Sequence, residues 1–112
     1  VNARLWQQNA YVGTDGGYWI PELGGHQTTM PIAFYIYGTA GAINHVNELA
    51  ATVDSGPDPD SAEFLSLLRA RGVSHVYVGA KGGPLSLVKI ARSPHYREIY
   101  THGAAHIFEI QF

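Results

Sequence analysis

The stretch DPDSAEFLSLLRARGVSHVYVG, residues 58–79, changes period part-way along. Its first part sets Phe64, Leu67 and Leu68 at helical spacing, which predicts a helix with one buried stripe. Asp58 suits the N-cap and Pro59 the first helical position, while Asp60 and Glu63 lie in the first turns, where the helix dipole favours negative charge. Arg69 and Arg71 fall in the last turn and Gly72 just past it, so cations meet the negative end of the dipole and a left-handed cap is easily adopted. From Val73 to Gly79 the chain is rich in β-branched and aromatic residues, which predicts a strand, read here as the central one. A helix running straight into a strand is half of an α/β unit.

Downstream, Lys81-Gly82-Gly83-Pro84 makes a loop and Leu85, Val88 and Ile90 or Ala91 predict a short helix that Ser93-Pro94 stops. Tyr96–Tyr100 and Ala105–Phe112 flank Thr101-His102-Gly103-Ala104 and predict a hairpin, with His106, Phe108, Ile110 and Phe112 on one face of its second arm. Upstream, Ile43, Val46, Leu49 or Ala50 and Val53 predict an amphipathic helix that ends at Asp54-Ser55-Gly56-Pro57. Residues 1–37 are rich in Gly, aromatic and β-branched residues, which predicts short strands and loops. Ala10–Gly13 reads as the first strand, and Gln27–Gly38, with Pro31, as an edge strand or an extended loop. The expected fold is one small α/β domain over residues 1–112, with a mixed sheet, about three helices and a C-terminal antiparallel hairpin.

Composition narrows the chemistry. The 112 residues are 46% hydrophobic and 14% charged, against roughly 25% charged in average soluble proteins, which predicts a packed core. Seven Lys and Arg against nine Asp and Glu give a net charge of −2, so no nucleic-acid partner is expected. The absence of Cys removes disulfides, thiolate metal sites and cysteine nucleophiles. The longest apolar run, Ile32–Tyr37, is far short of the roughly 20 residues of a membrane span. The opening at Val1, with no initiator Met and no signal-like segment, leads us to expect a piece of something larger.

Six His stand at positions 26, 45, 75, 95, 102 and 106 without tight metal-ligand spacing; only His102 and His106 flank a common turn, and no metal or cofactor is expected. Gly79–Pro84 follows a strand as phosphate loops do, but lacks GxxxxGK[ST] and GxGxxG spacing. The acidic group Asp54, Asp58, Asp60 and Glu63 reads as a capped, solvated helix start. The run Tyr11-Val12-Gly13-Thr14-Asp15-Gly16-Gly17-Tyr18-Trp19-Ile20-Pro21, continuing through His26 to Pro31, sets a carboxylate at a strand end beside two large aromatics. Such an arrangement suits recognition of sugars or peptides, and equally a turn capped by Asp15 with Tyr18 and Trp19 covering the core edge. The candidate binding residues are Asp15, Tyr18, Trp19 and His26; no catalytic residue is assigned.

The segments Asn2–Trp6, Tyr11–Pro21 and Gly24–Pro31, with Leu68–Gly79, Ser93–Tyr100 and Ile107–Ile110, resemble the soluble extracytoplasmic C-terminal domain of polytopic membrane glycosyltransferases of the GT-C type. Asp15-Gly16-Gly17-Tyr18-Trp19-Ile20 is also faintly similar to the Trp-Trp-Asp-Tyr-Gly segment of oligosaccharyltransferase catalytic subunits, which contacts the acceptor peptide. Gly13 and Thr14 stand where that family has its paired Trp, and Gly16 replaces its Tyr. The resemblance implies an extracytoplasmic accessory domain whose partner is the transmembrane part of the same polypeptide. It also implies contact with a sugar or peptide acceptor, the catalytic acid lying in a loop between membrane helices. The rival expectations are a self-sufficient small α/β enzyme or ligand-binding protein with a pocket near Asp15 and Gly79–Gly83, and an oligomerising domain with an apolar face.

Overall fold

The computed structural model describes residues 1–112, except for the side chains of Tyr18, Ala33 and Phe34. Strands β1 (Ala3–Gln7) and β2 (Ala10–Gly13) form an antiparallel hairpin with an irregularity between Leu5 and Gln7. A 3₁₀ turn over Gly17–Trp19 leads into the short helix α1 (Ile20–Gly24), and a second 3₁₀ turn covers Ala33–Tyr37. Then follow α2 (Ala40–Asp54), α3 (Ala62–Ala70), β3 (His75–Val78), α4 (Leu87–Arg92), β4 (Tyr96–His102) and β5 (Ala105–Ile110). The α/β class and the C-terminal hairpin are as the sequence predicts. Gln27–Gly38 is a loop closed by the second 3₁₀ turn and contains no strand.

Helix boundaries follow from side-chain caps. Thr39 Oγ1 accepts from the Ala42 N–H, Ser61 Oγ from that of Phe64 and Ser86 Oγ from that of Lys89, each satisfying one orphan donor at a helix start. The cap of α3 is therefore Ser61, where Asp58 was expected. Asp58-Pro59-Asp60 instead forms a turn, with the Ser61 N–H on the Asp58 carbonyl, and buried Pro59 offers its carbonyl to the Tyr96 hydroxyl at 2.8 Å. At the far end Gly72 takes φ +67° and the Val73 N–H reaches back to Leu68 C=O at 2.9 Å, a Schellman-type closure.

The expected mixed sheet is in fact two sheets, both antiparallel: β1-β2, and β3-β5-β4. The two-residue turn at Gly103-Ala104, with Gly103 at φ +57°, folds β5 back along β4, and the other side of β5 then accepts β3. β3 and β4 thus point the same way, joined by the crossover through α4, with β5 inserted between them. This also corrects the assignment of Val73–Gly79 as the central strand. β5 is central and β3 is an edge.

One face of this sheet, with Val76, Val78, Phe108 and Ile110, packs on Phe64 and Leu68 of α3, Leu49, Ala50 and Val53 of α2, and Ile90 of α4. Phe108, 1% exposed, is among the largest fully buried side chains. Phe112, expected on this face, is exposed beyond the strand end with the Arg69 guanidinium 5.0 Å over its ring. Polar side chains attach the first hairpin: Asp54 Oδ2 accepts from the Leu5 N–H at 3.0 Å, and the Tyr35 hydroxyl accepts from the Tyr11 N–H while donating to Asn47 Oδ1. Among the described residues, no helix is long and apolar enough to cross a membrane.

Candidate functional site

Asp15 is 5% exposed, and its carboxylate faces inward. Oδ2 accepts from the Asn2 backbone N–H at 3.2 Å, from Asn2 Nδ2 at 2.9 Å and from the Gly79 N–H at 3.3 Å, while Oδ1 accepts from the Gly17 N–H at 3.3 Å. The last bond is the Asx-turn chemistry that an Asp-Gly-Gly sequence favours; the others join the end of β2 to the start of the chain and to the loop after β3. Asn2 is fully buried, and each of its polar atoms has a hydrogen-bond partner. Its Oδ1 accepts from the Leu85 N–H at 2.8 Å and its carbonyl from the Thr14 N–H at 3.2 Å.

Two glycines make this node possible. A Cβ at Gly79 would lie 1.9 Å from the Asp15 carbonyl oxygen, and one at Gly83 would lie 2.5 Å from Asn2 Cβ. The Gly79–Gly83 loop is therefore a cradle for the protein's own polar groups. The Gly79 amide, which an anion would seek, holds the Asp15 carboxylate. Sequence reading missed Asn2 as a site residue, one polar side chain in a mixed opening segment. The available signal was a pair of glycine-rich turns, one carrying a carboxylate, each needing a partner.

Beside the node lies a groove of about 810 Å³. The α2 side chains of His45, Val46 and Leu49, the α3–β3 turn over Arg71–Ser74, the outward-facing His75, Tyr77, Ile99 and Ile107 of the sheet, and the segment around Gly25–Pro31 all line it. Arg71 is ion-paired with Glu48 at 2.5 Å and donates to the His45 carbonyl at 2.7 Å and to His45 Nδ1 at 3.0 Å, so that ring nitrogen acts as acceptor. Burial, aided by the Asp15 carboxylate, pushes the Tyr77 phenol above its ordinary value.

Of the expected binding residues, His26 is exposed and lines the groove. Trp19 is 51% exposed and its neighbour Ile20 reaches the groove. Asp15 lies behind, outside the lining, and the side chain of Tyr18 lies outside the described residues. The turn histidines separate: His106 Nδ1 sits 2.8 Å from Glu98 Oε2, and His102 is exposed. No cluster of three or more potential metal ligands occurs among the described residues. Fold and site together define a small α/β domain, fastened by a buried carboxylate, with a ligand-sized groove at its side. No protein-family model, curated protein or solved structure matches the chain.

Proposed function

We propose that this is a non-catalytic accessory domain of a membrane glycosyltransferase, packing over the membrane-embedded active site from the extracytoplasmic side, and that its groove takes up part of the acceptor or of the lipid-linked sugar. The observation that carries the reading is the groove itself. Its volume, about 810 Å³, falls within the roughly 300–1,000 Å³ of small-molecule sites. It sets hydrogen-bonding groups from His26, Gln27, Thr28, Thr29 and Ser74 among the apolar side chains of Val46, Leu49, Ile99 and Ile107. Trp19, half exposed, stands in the chain directly before the groove-lining Ile20 and is an aromatic of the kind that sugars stack on.

The reading frame upstream of Val1 tests this directly. Several apolar stretches of about 20 residues, with an acidic residue in the first extracytoplasmic loop, are expected; a frame without such spans overturns the membrane reading and leaves the groove as the site of a self-sufficient protein. Purified residues 1–112 are expected to show no transferase or hydrolase turnover, and turnover counts directly against an accessory role.

A further inference from the structure

We infer that the groove binds an extended, carboxylate-bearing peptide by adding it as a strand to the free edge of β3. The inference rests on the groove's being a binding site and names what it binds. In an antiparallel pair, successive residues turn their backbone groups alternately toward and away from the partner strand. The Ile110 N–H donates to the Ser74 carbonyl at 2.9 Å, and the register runs on through Val76↔Phe108 and Val78↔His106. Residues 74, 76 and 78 therefore face β5, while 75, 77 and 79 face outward.

Of the outward set, the Gly79 N–H is held by Asp15 Oδ2. At the other end of the strand the Val73 N–H is held by the Leu68 carbonyl. Between these two closures the N–H and C=O groups of His75 and Tyr77 have no hydrogen-bond partner among the described residues. Their side chains line the groove, so the cavity lies against this strand. The opposite edge differs: β4 carries a bulge between Glu98 and Tyr100, a device that spoils strand addition, whereas β3 is regular and contains no Lys or Pro.

Hydrogen-bond donors select the peptide. Among the described residues no Asp or Glu lines the groove, whereas His26, His45, His75 and Arg71 do. Arg71 is already paired with Glu48, His45 Nδ1 accepts from Arg71 and His75 Nδ1 lies 2.7 Å from Ser74 Oγ, which leaves the Nε2 side of these rings and exposed His26 to donate to carboxylate side chains. Main-chain bonds to His75 and Tyr77 would supply affinity and these side chains selectivity, the division of labour in strand-addition complexes.

The test is amide hydrogen exchange on isotope-labelled protein with a blocked hexapeptide of alternating valine and glutamate. The His75 and Tyr77 amides are expected to exchange fast in the free protein and at least about tenfold more slowly with peptide. N-methylation of one alternate set of peptide residues is expected to weaken binding about tenfold or more and of the other set to leave it unchanged, because only one set turns its N–H groups toward β3. The lysine-for-glutamate peptide is expected to bind more weakly. His75→Pro removes an outward N–H without touching the β5 ladder and is expected to weaken binding more than His75→Ala does. Equal tolerance of both methylated peptides overturns strand addition. So does protection of these amides by protein concentration alone, which would mark a second copy as the occupant. A short mannose oligosaccharide that shifts the groove residues where no peptide binds overturns the peptide while preserving the groove; binding of neither probe overturns both.

Discussion

The C-terminal and N-terminal parts of this domain are held by different forces. From α3 to β5, apolar periodicity builds the structure: Phe64, Leu68, Val76, Val78, Ile90, Phe108 and Ile110 are all buried in one cluster. From β1 to the second 3₁₀ turn, much of the attachment is polar and long-range. Asp15, Asn2, Tyr35 and Asp54 each bond to backbone or side chains far along the chain, up to 83 residues away between Asn2 and Leu85. A hydrophobic cluster tolerates approximate shape, losing stability by degrees, whereas a buried polar node works only when every partner is in place.

Breaking the apolar side comes first. Phe108→Ala is expected to cost about 3–5 kcal/mol through lost burial and the cavity left behind, read as a lowered denaturant midpoint. It should raise amide exchange throughout the domain. Asp15→Asn is nearly isosteric yet turns an amide N–H₂ against N–H groups of Asn2, Gly17 or Gly79, and is expected to cost roughly 3 kcal/mol. Its exchange signature should be local, with loosening of residues 1–17 while β5 stays protected. Equal loosening of both regions would show that the polar node and the apolar cluster hold the domain as one unit.

Tyr96 gives a smaller effect with a defined pH window. Burial, with Asp60 and Asp58 nearby, pushes its phenol up to about 12, above the ordinary 10. The folded state keeps this proton where the unfolded state has lost it. The contribution is therefore fully present below pH 10 and is lost as pH rises from 10 to 12. Tyr96→Phe should flatten that part of the stability curve. The smallest effect is expected at Trp19, half exposed: Trp19→Ala should cost no more than about 1 kcal/mol in urea unfolding while reducing binding at the groove.

The same contrast explains what could be read from residues alone. α2, α3 and the β4–β5 hairpin were legible because burial imposes a period, and Gly72 and Gly103 mark their ends. Strand order was not, because no local pattern says that β5 enters between β3 and β4. The Ser61 cap was hidden by Asp58 and Pro59, which offer the same chemistry three and two residues earlier, and the core decided between them by burying Pro59. Asp15 was recognisable as a special carboxylate. That it turns inward depends on Asn2 and Gly79, partners 13 and 64 residues away, and no reading of its neighbours supplies them.

The placement of β5 also sets an order of events for a growing chain. β3 and β4 have no ladder with each other, and each finds its partner only in residues 105–110. Until that segment leaves the ribosome, the crossover through α4 has helices but no sheet to lie on, and its apolar faces remain open to solvent. Closure of the sheet thus waits on β5. Its folding should proceed as one cooperative step, slowed by the long-range pairing of β3 with β5.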